Sequence, residues 1–166
     1  MSSTILLAFL AAAVPAFFTP GPNNLMLMAS TAKFGLARTL PHAVGVILGF
    51  PLMTVIVGMG LGELFVQVPA VKTVLKIAAA AYFLWMAWTL LGFRIGAAKG
   101  AERPLRMYEA MAFQWINPKA WIMAVAFVAL VVETGEGHGT SLAALGFACL
   151  ALAPLSSGLW MGFGQG

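Results

Sequence analysis

"FTPGPNNLM", residues 18–26, sets two prolines, a glycine and two asparagines into the middle of the chain's first apolar run. Pro20 and Pro22 carry no backbone N–H, so the carbonyls of Ala16 and Phe18 lose their helical partners, and Gly21 between them permits non-helical dihedrals. The helix breaks here. In hydrocarbon an unpaired backbone group costs several kcal/mol, so unwound chain persists only where protein or a water-filled cavity surrounds it.

The composition says that hydrocarbon is the relevant medium. Of 166 residues, 61% are hydrophobic and 8% charged, against about a quarter charged in an ordinary soluble domain. The apolar content is spread along the whole chain, which predicts an all-α integral membrane protein, one domain over residues 1–166, in contact with the lipid bilayer. A helical span takes about 20 mostly apolar residues. Five predicted transmembrane helices follow: 4–32, 42–62, 74–93, 110–132 and 141–163, here S1 to S5. Their connections are short, and Pro41 suits the first turn of S2. "TILLAFLAAAVPAFF", residues 4–18, has the apolar core of a secretory signal, but the first basic residue is Lys33, so no cleaved signal is expected.

Nine Lys and Arg face five Glu and no Asp, and most of the basic residues fall in breaks between apolar runs. That pattern reads as membrane topology, not nucleic-acid binding. Lys33 and Arg38 follow S1 and Arg94, Lys99, Arg103 and Arg106 precede S4, against Lys72 and Lys76 in the remaining connection, so the N-terminus is expected outside. Cys149 is the sole cysteine, which excludes an intrachain disulfide, a zinc cluster and a CxxC pair. With His42 and His138 far apart in the pattern, no catalytic or metal-ligating constellation is visible; the chain reads as no enzyme and implies no cofactor. Gly45 and Gly49, Gly58 and Gly62, and the run Ala78 to Ala81 allow helix backbones to approach closely. Packing inside one bundle is the expected use of these positions, and a homodimer is the alternative.

A second interruption, "QWINPKAW" at residues 114–121, lies in S4. Pro118 denies the Gln114 carbonyl its partner and Asn117 can cap a restarted helix. Both breaks fall near the midpoints of their segments, hence near the bilayer centre. S1 opens a group of three segments and S4 opens the next, so an inverted 3+3 repeat with broken helices 1 and 4 is expected. Paired broken helices point to a transporter's binding site at the repeat interface.

Residues after Pro22 and Pro118 begin half-helices whose free N–H groups favour an anion, while unwound carbonyls accept from an ammonium; a zwitterionic amino acid satisfies both. Asn23, Asn24, Gln114 and Asn117 offer amide donors and acceptors to such a ligand, with helix capping or cross-linking of the bundle as the competing use. Lys119 is the only charge near the middle of a segment, where a charge costs at least about 2.5–3.5 kcal/mol on insertion scales. It reads as a counter-charge for a substrate carboxylate, against the alternative that S4 proper starts near Pro118 and Lys119 snorkels to water. Phe17, Trp115 and Trp121 read as core.

"TPGPNNLM" (19–26), "KIAAAAYFLWMAW" (76–88) and "INPKAWIM" (116–123) are similar in kind and order to the lysine exporter (LysE) and homoserine/threonine efflux family. The resemblance covers nearly the whole chain. It implies a multi-pass exporter of amino acids or related metabolites in the bacterial inner membrane, with about six helices and transport driven by the proton gradient. The family's first motif falls on Pro20, Gly21, Pro22 and Asn23, and its second on Asn117, Pro118 and Lys119. Ala110 stands where the family usually has glycine, and the sequence reads "WMGFGQG" (160–166) at the close of S5, where the family continues through a sixth segment. The competing reading is therefore a non-transporting membrane subunit or a truncated fragment. Glu63, Glu109, Glu133 and Glu136 lie at segment ends or in connections and Glu102 in a loop, which leaves the proton carrier unassigned and His42 a weak candidate.

Overall fold

Among the described residues all regular structure is helical. The computed structural model describes residues 2–68, 70, 74, 77, 102–133 and 135–166. Nearly all of S3, with the run Ala78 to Ala81 and "KIAAAAYFLWMAW", lies outside the described residues, as do Lys72, Lys76, Arg94, Lys99 and the side chains of residues 61–66, Glu63 among them.

S1 is two helices. α1 (Ser3–Phe18) begins at Ser2, whose hydroxyl accepts the Ile5 N–H at 3.3 Å. α2 (Pro22–Phe34) begins with proline in the first helical position, where the missing N–H removes no helical bond. The two axes differ by 43°. α2 ends at Gly35, whose φ of 81° lies in the left-handed region that glycine enters without a Cβ penalty.

α3 (Leu36–Gln67) follows directly, 32 residues long and about 48 Å at 1.5 Å per residue, which exceeds the ~30 Å of hydrocarbon. It starts five residues ahead of Pro41, so Pro41 is an interior proline, like Pro51, and not the first-turn residue that the start of S2 suggested. Hydropathy marks where a helix enters lipid, whereas Gly35 marks where the helix begins.

S4 is likewise divided, into α4 (Met107–Phe113) and α5 (Pro118–Val131), bent by 67°. A 3-10 turn, Gly135–Gly137, leads into α6 (His138–Phe163), which carries Pro154 in its interior. α3 and α6 are each long and apolar enough to cross a membrane, and the two bent pairs pass the same test when each is taken as one span.

The distribution of side chains is inverted relative to a water-soluble domain. Ile116 is 75% exposed and Phe147 72%, whereas Asn24, Gln114, Asn117 and Lys119 are buried. The apolar interior centres on four phenylalanines. Phe127 of α5 packs edge-on to Phe9 of α1 at 5.2 Å and stacks on Phe17 at 6.2 Å, and Phe17 meets Phe50 of α3 edge-on at 5.4 Å. These contacts tie α1, α3 and α5 together just beside the first break.

Gly45, Gly49 and Gly58 of S2 pack within the bundle. A Cβ on Gly45 would collide with the Met107 carbonyl and the Ala110 side chain, and one on Gly49 would lie 2.9 Å from the Met111 Cα. Ala110 therefore closes directly onto Gly45, and α3 and α4 approach backbone to backbone. Gly45→Leu is expected to reduce stability by on the order of 1–3 kcal/mol, read as a lower thermal unfolding midpoint in detergent. Gly60→Ala, whose added Cβ meets nothing within 4 Å, should leave that midpoint unchanged or raise it slightly.

Candidate functional site

The chain from Thr19 to Gly21 is extended, and the carbonyls that a continuous helix would have paired find partners elsewhere. Thr19 Oγ1 donates to the Ala16 carbonyl at 3.4 Å. Asn24 Nδ2 donates to the carbonyls of Phe17 and Thr19, both at 2.9 Å, and Ser156 Oγ of α6 donates to the Phe17 carbonyl at 2.6 Å. The remaining partner comes from the second break. Lys119 Nζ donates to the Thr19 carbonyl at 2.8 Å, to Thr19 Oγ1 at 3.1 Å and to the Pro20 carbonyl at 3.5 Å. An ammonium has three protons, so its donor capacity is filled. At 5% exposure Lys119 does not snorkel to water.

Gly21 is explained by this contact. Its φ of −166° is extended backbone open to any residue, so dihedral freedom is not the reason for glycine here. A Cβ would lie 2.5 Å from Lys119 Cδ and 3.0 Å from Nζ. The glycine leaves room for the lysine to reach across.

The second break is organised in the same way. Asn117 caps α5, its Oδ1 accepting the Lys119 N–H at 3.1 Å. Gln114 Nε2 donates to the Ala110 carbonyl at 2.8 Å, and the Gln114 and Asn23 side chains form a reciprocal pair, Asn23 Nδ2 to Gln114 Oε1 at 2.8 Å and Gln114 Nε2 to Asn23 Oδ1 at 3.3 Å. The two interruptions, about ninety residues apart in sequence, are joined by two independent polar contacts.

Between them lies a cavity of about 40 Å³, open on one side. Its polar wall comprises Asn23, Asn24, Asn117, Lys119, Ser156 and Ser157, with Gly21 beside them. Phe17, Phe50 and Met123 supply apolar wall. Among the described residues Lys119 is the one charged side chain on the lining, and no carboxylate lies there. Of the residues that the sequence marked, Pro20, Pro22, Gln114 and Pro118 do not line the cavity; they shape or brace its edges. Ser156 and Ser157 were not anticipated, although they fall on the buried stripe of α6 that runs Leu142, Leu145, Cys149, Ala153, Ser156, Trp160.

Two aromatic expectations are corrected. Trp115 and Trp121 are exposed, not core: they pack edge-on to each other at 5.9 Å, and Trp121 Nε1 donates to the Trp115 carbonyl at 2.9 Å. A tryptophan with a satisfied N–H and an apolar body suits an outer surface facing lipid. His42 is fully buried, with Nδ1 3.3 Å from Ser30 Oγ, and does not line the cavity. Glu109 serves the start of α4, pairing with Arg103 at 2.7 Å and accepting the Arg106 N–H at 2.7 Å. Among the described residues no group of His, Cys, Asp and Glu could hold a metal ion.

A double-mutant cycle on Asn23→Ala and Gln114→Ala should return a coupling energy of about 0.6 kcal/mol and at most about 1.7 kcal/mol, the mean and maximum for interhelical hydrogen bonds in a membrane protein. Additive effects would show the pair to be energetically silent. The Thr31 hydroxyl is buried without a hydrogen-bond partner among the described residues, so Thr31→Val should raise stability by roughly 1 kcal/mol in the same unfolding measurement.

Residues 14–163 match the family LysE, described as LysE type translocator. The chain is 26% identical over 161 residues to the cysteine/O-acetylserine efflux protein of Klebsiella pneumoniae subsp. pneumoniae, a match spanning 96% of this chain and 82% of that one. It is 29% identical over 133 residues to the protein of the same name from Escherichia coli strain K12, spanning 80% of this chain and 68% of the relative. No solved structure is a significant match. Both helix breaks, their cross-contacts and the cavity between them fall within the matched residues, and the chain belongs to the LysE type translocator family.

Proposed function

We propose that this integral membrane protein exports a small amino acid with an uncharged side chain across the bacterial inner membrane, holding it between the two helix breaks. The observation that carries the reading is the bond from Lys119 to the unwound carbonyls of Thr19 and Pro20, on the wall of a cavity that no carboxylate lines among the described residues. Without ligand, the ammonium and the carbonyls satisfy each other. A zwitterion replaces that single contact with two: its carboxylate takes Lys119, and its ammonium takes the released carbonyls.

The exchange loosens one of the two ties between the breaks while the ligand bridges them, which suits the rocking of repeat halves around a midplane site. A substrate with a basic side chain would bring a second cation beside Lys119 with no carboxylate among the described lining residues to offset it, so neutral side chains fit best. Cysteine and O-acetylserine, named in the relatives' titles, have that character. The inverted repeat and the proton gradient as driving force are parts of the same proposal and rest on the sequence pattern and the family resemblance.

Efflux of cysteine and O-acetylserine is to be compared for the wild type, Asn23→Ala and Lys119→Ala at matched amounts in the membrane. Lys119→Ala should slow efflux by about tenfold or more, the scale of a lost charge-assisted hydrogen bond, and Asn23→Ala by less. Equal efflux in all three would overturn the site. A wild type that exports neither compound would favour a non-transporting membrane subunit.

A further inference from the structure

The cavity wall holds polar valences that no other described residue takes up. Asn24 commits its amide nitrogen to the Phe17 and Thr19 carbonyls, which identifies its oxygen as the free end. Asn117 commits its oxygen to the Lys119 N–H, which leaves its amide nitrogen free. The third is the hydroxyl of Ser157. Ser157 is 3% exposed, lines the cavity, and makes no hydrogen bond among the described residues.

That hydroxyl departs from the usual behaviour of helical hydroxyls here, and unlike the enclosed Thr31 hydroxyl it lies on the cavity lining. A helical serine or threonine commonly turns its hydroxyl back to the carbonyl four residues earlier. Thr39 bonds the Gly35 carbonyl at 2.9 Å, Thr54 that of Phe50 at 2.9 Å and Ser141 that of Gly137 at 2.9 Å. Ser156, the preceding residue of α6, is spent on the Phe17 carbonyl. The Ser157 hydroxyl is reachable from the cavity, so an occupant of the cavity can supply the hydrogen bond that the described residues do not.

We infer that Ser157 is the specificity-determining contact for the substrate's side chain, its hydroxyl bonding the polar atom of a short side chain such as a hydroxyl, thiol or ester oxygen. The inference rests on the transport reading above. The groups suited to the substrate's ammonium and carboxylate, namely Thr19, Pro20, Asn24, Asn117 and Lys119, all belong to the two breaks. Ser157 belongs to neither. It comes from α6, one turn after Ala153, and shares the lining with Ala153, Phe50 and Met123. A small residue and apolar walls around a single hydroxyl make a pocket for a short chain ending in one polar atom.

The test compares efflux of O-acetylserine, cysteine and 2-aminobutyrate, the last being cysteine with a methyl group in place of the thiol, from cells or vesicles loaded with each. Ser157→Ala should narrow the preference for O-acetylserine over 2-aminobutyrate by roughly three- to tenfold, the scale of one neutral hydrogen bond, with 2-aminobutyrate efflux unchanged. The shift should be smaller for cysteine, because a thiol is a weak hydrogen-bonding group. The thermal unfolding midpoint of purified Ser157→Ala should not fall, since the deleted hydroxyl has no partner among the described residues. An unmoved preference with the wild type active would overturn this inference alone, as would equal loss of all three substrates with a lowered midpoint. Failure of the wild type to export any of them would overturn the transport reading and this inference with it.

Discussion

The contact between the Lys119 ammonium and the carbonyls of Thr19 and Pro20 is the interaction on which the arrangement depends. Each side poses a problem that the other solves. An unwound segment inside a membrane protein carries carbonyls with no helical donor, and a buried ammonium has lost its water. Brought together, the two defects become one satisfied junction between segments a hundred residues apart. Gly21 is glycine because the lysine passes over it, and Asn24 and Ser156 take the carbonyl valences that the lysine does not.

Proline alone does not explain the breaks. Pro15, Pro41, Pro51 and Pro154 all sit inside continuing helices. Each removes one helical hydrogen bond and the surrounding helix tolerates the loss. Within S1 and S4 the chain unwinds at Pro20–Gly21–Pro22 and ahead of Pro118, where Asn24, Lys119, Gln114 and Asn117 supply alternative partners for the freed groups. Unwinding is thus a property of the breaker together with its polar neighbours, and those neighbours are the residues that line or brace the cavity.

Rigidity around the junction comes from ordinary packing. The Phe9, Phe17, Phe50 and Phe127 cluster anchors the end of α1 against α3 and α5, and Gly45 and Gly49 bring α3 onto α4. In lipid such close contact replaces the hydrophobic effect as the force that holds helices together. The polar junction is therefore suspended in a tightly packed frame, and a ligand that exchanges with Lys119 acts on one of the few places where the frame is held by polar bonds.

What the sequence by itself determined was local: membrane helices from their hydropathy, two breaks from prolines placed beside glycine and asparagine, and the identity of nine residues around those breaks. Five of the nine, Gly21, Asn23, Asn24, Asn117 and Lys119, line the cavity. These were legible because a missing N–H and a lone charge in an apolar run carry their energetic penalty wherever the chain goes. What only the tertiary structure decided was pairing. The bond from Lys119 to Thr19, the Asn23–Gln114 pair and the placing of Ser157 on the cavity wall join segments far apart in sequence, and no local pattern specifies which carbonyl a distant side chain reaches. Trp115 and Trp121 show the converse: an aromatic in a membrane segment is apolar enough for core or lipid alike, and packing alone turned these two outward.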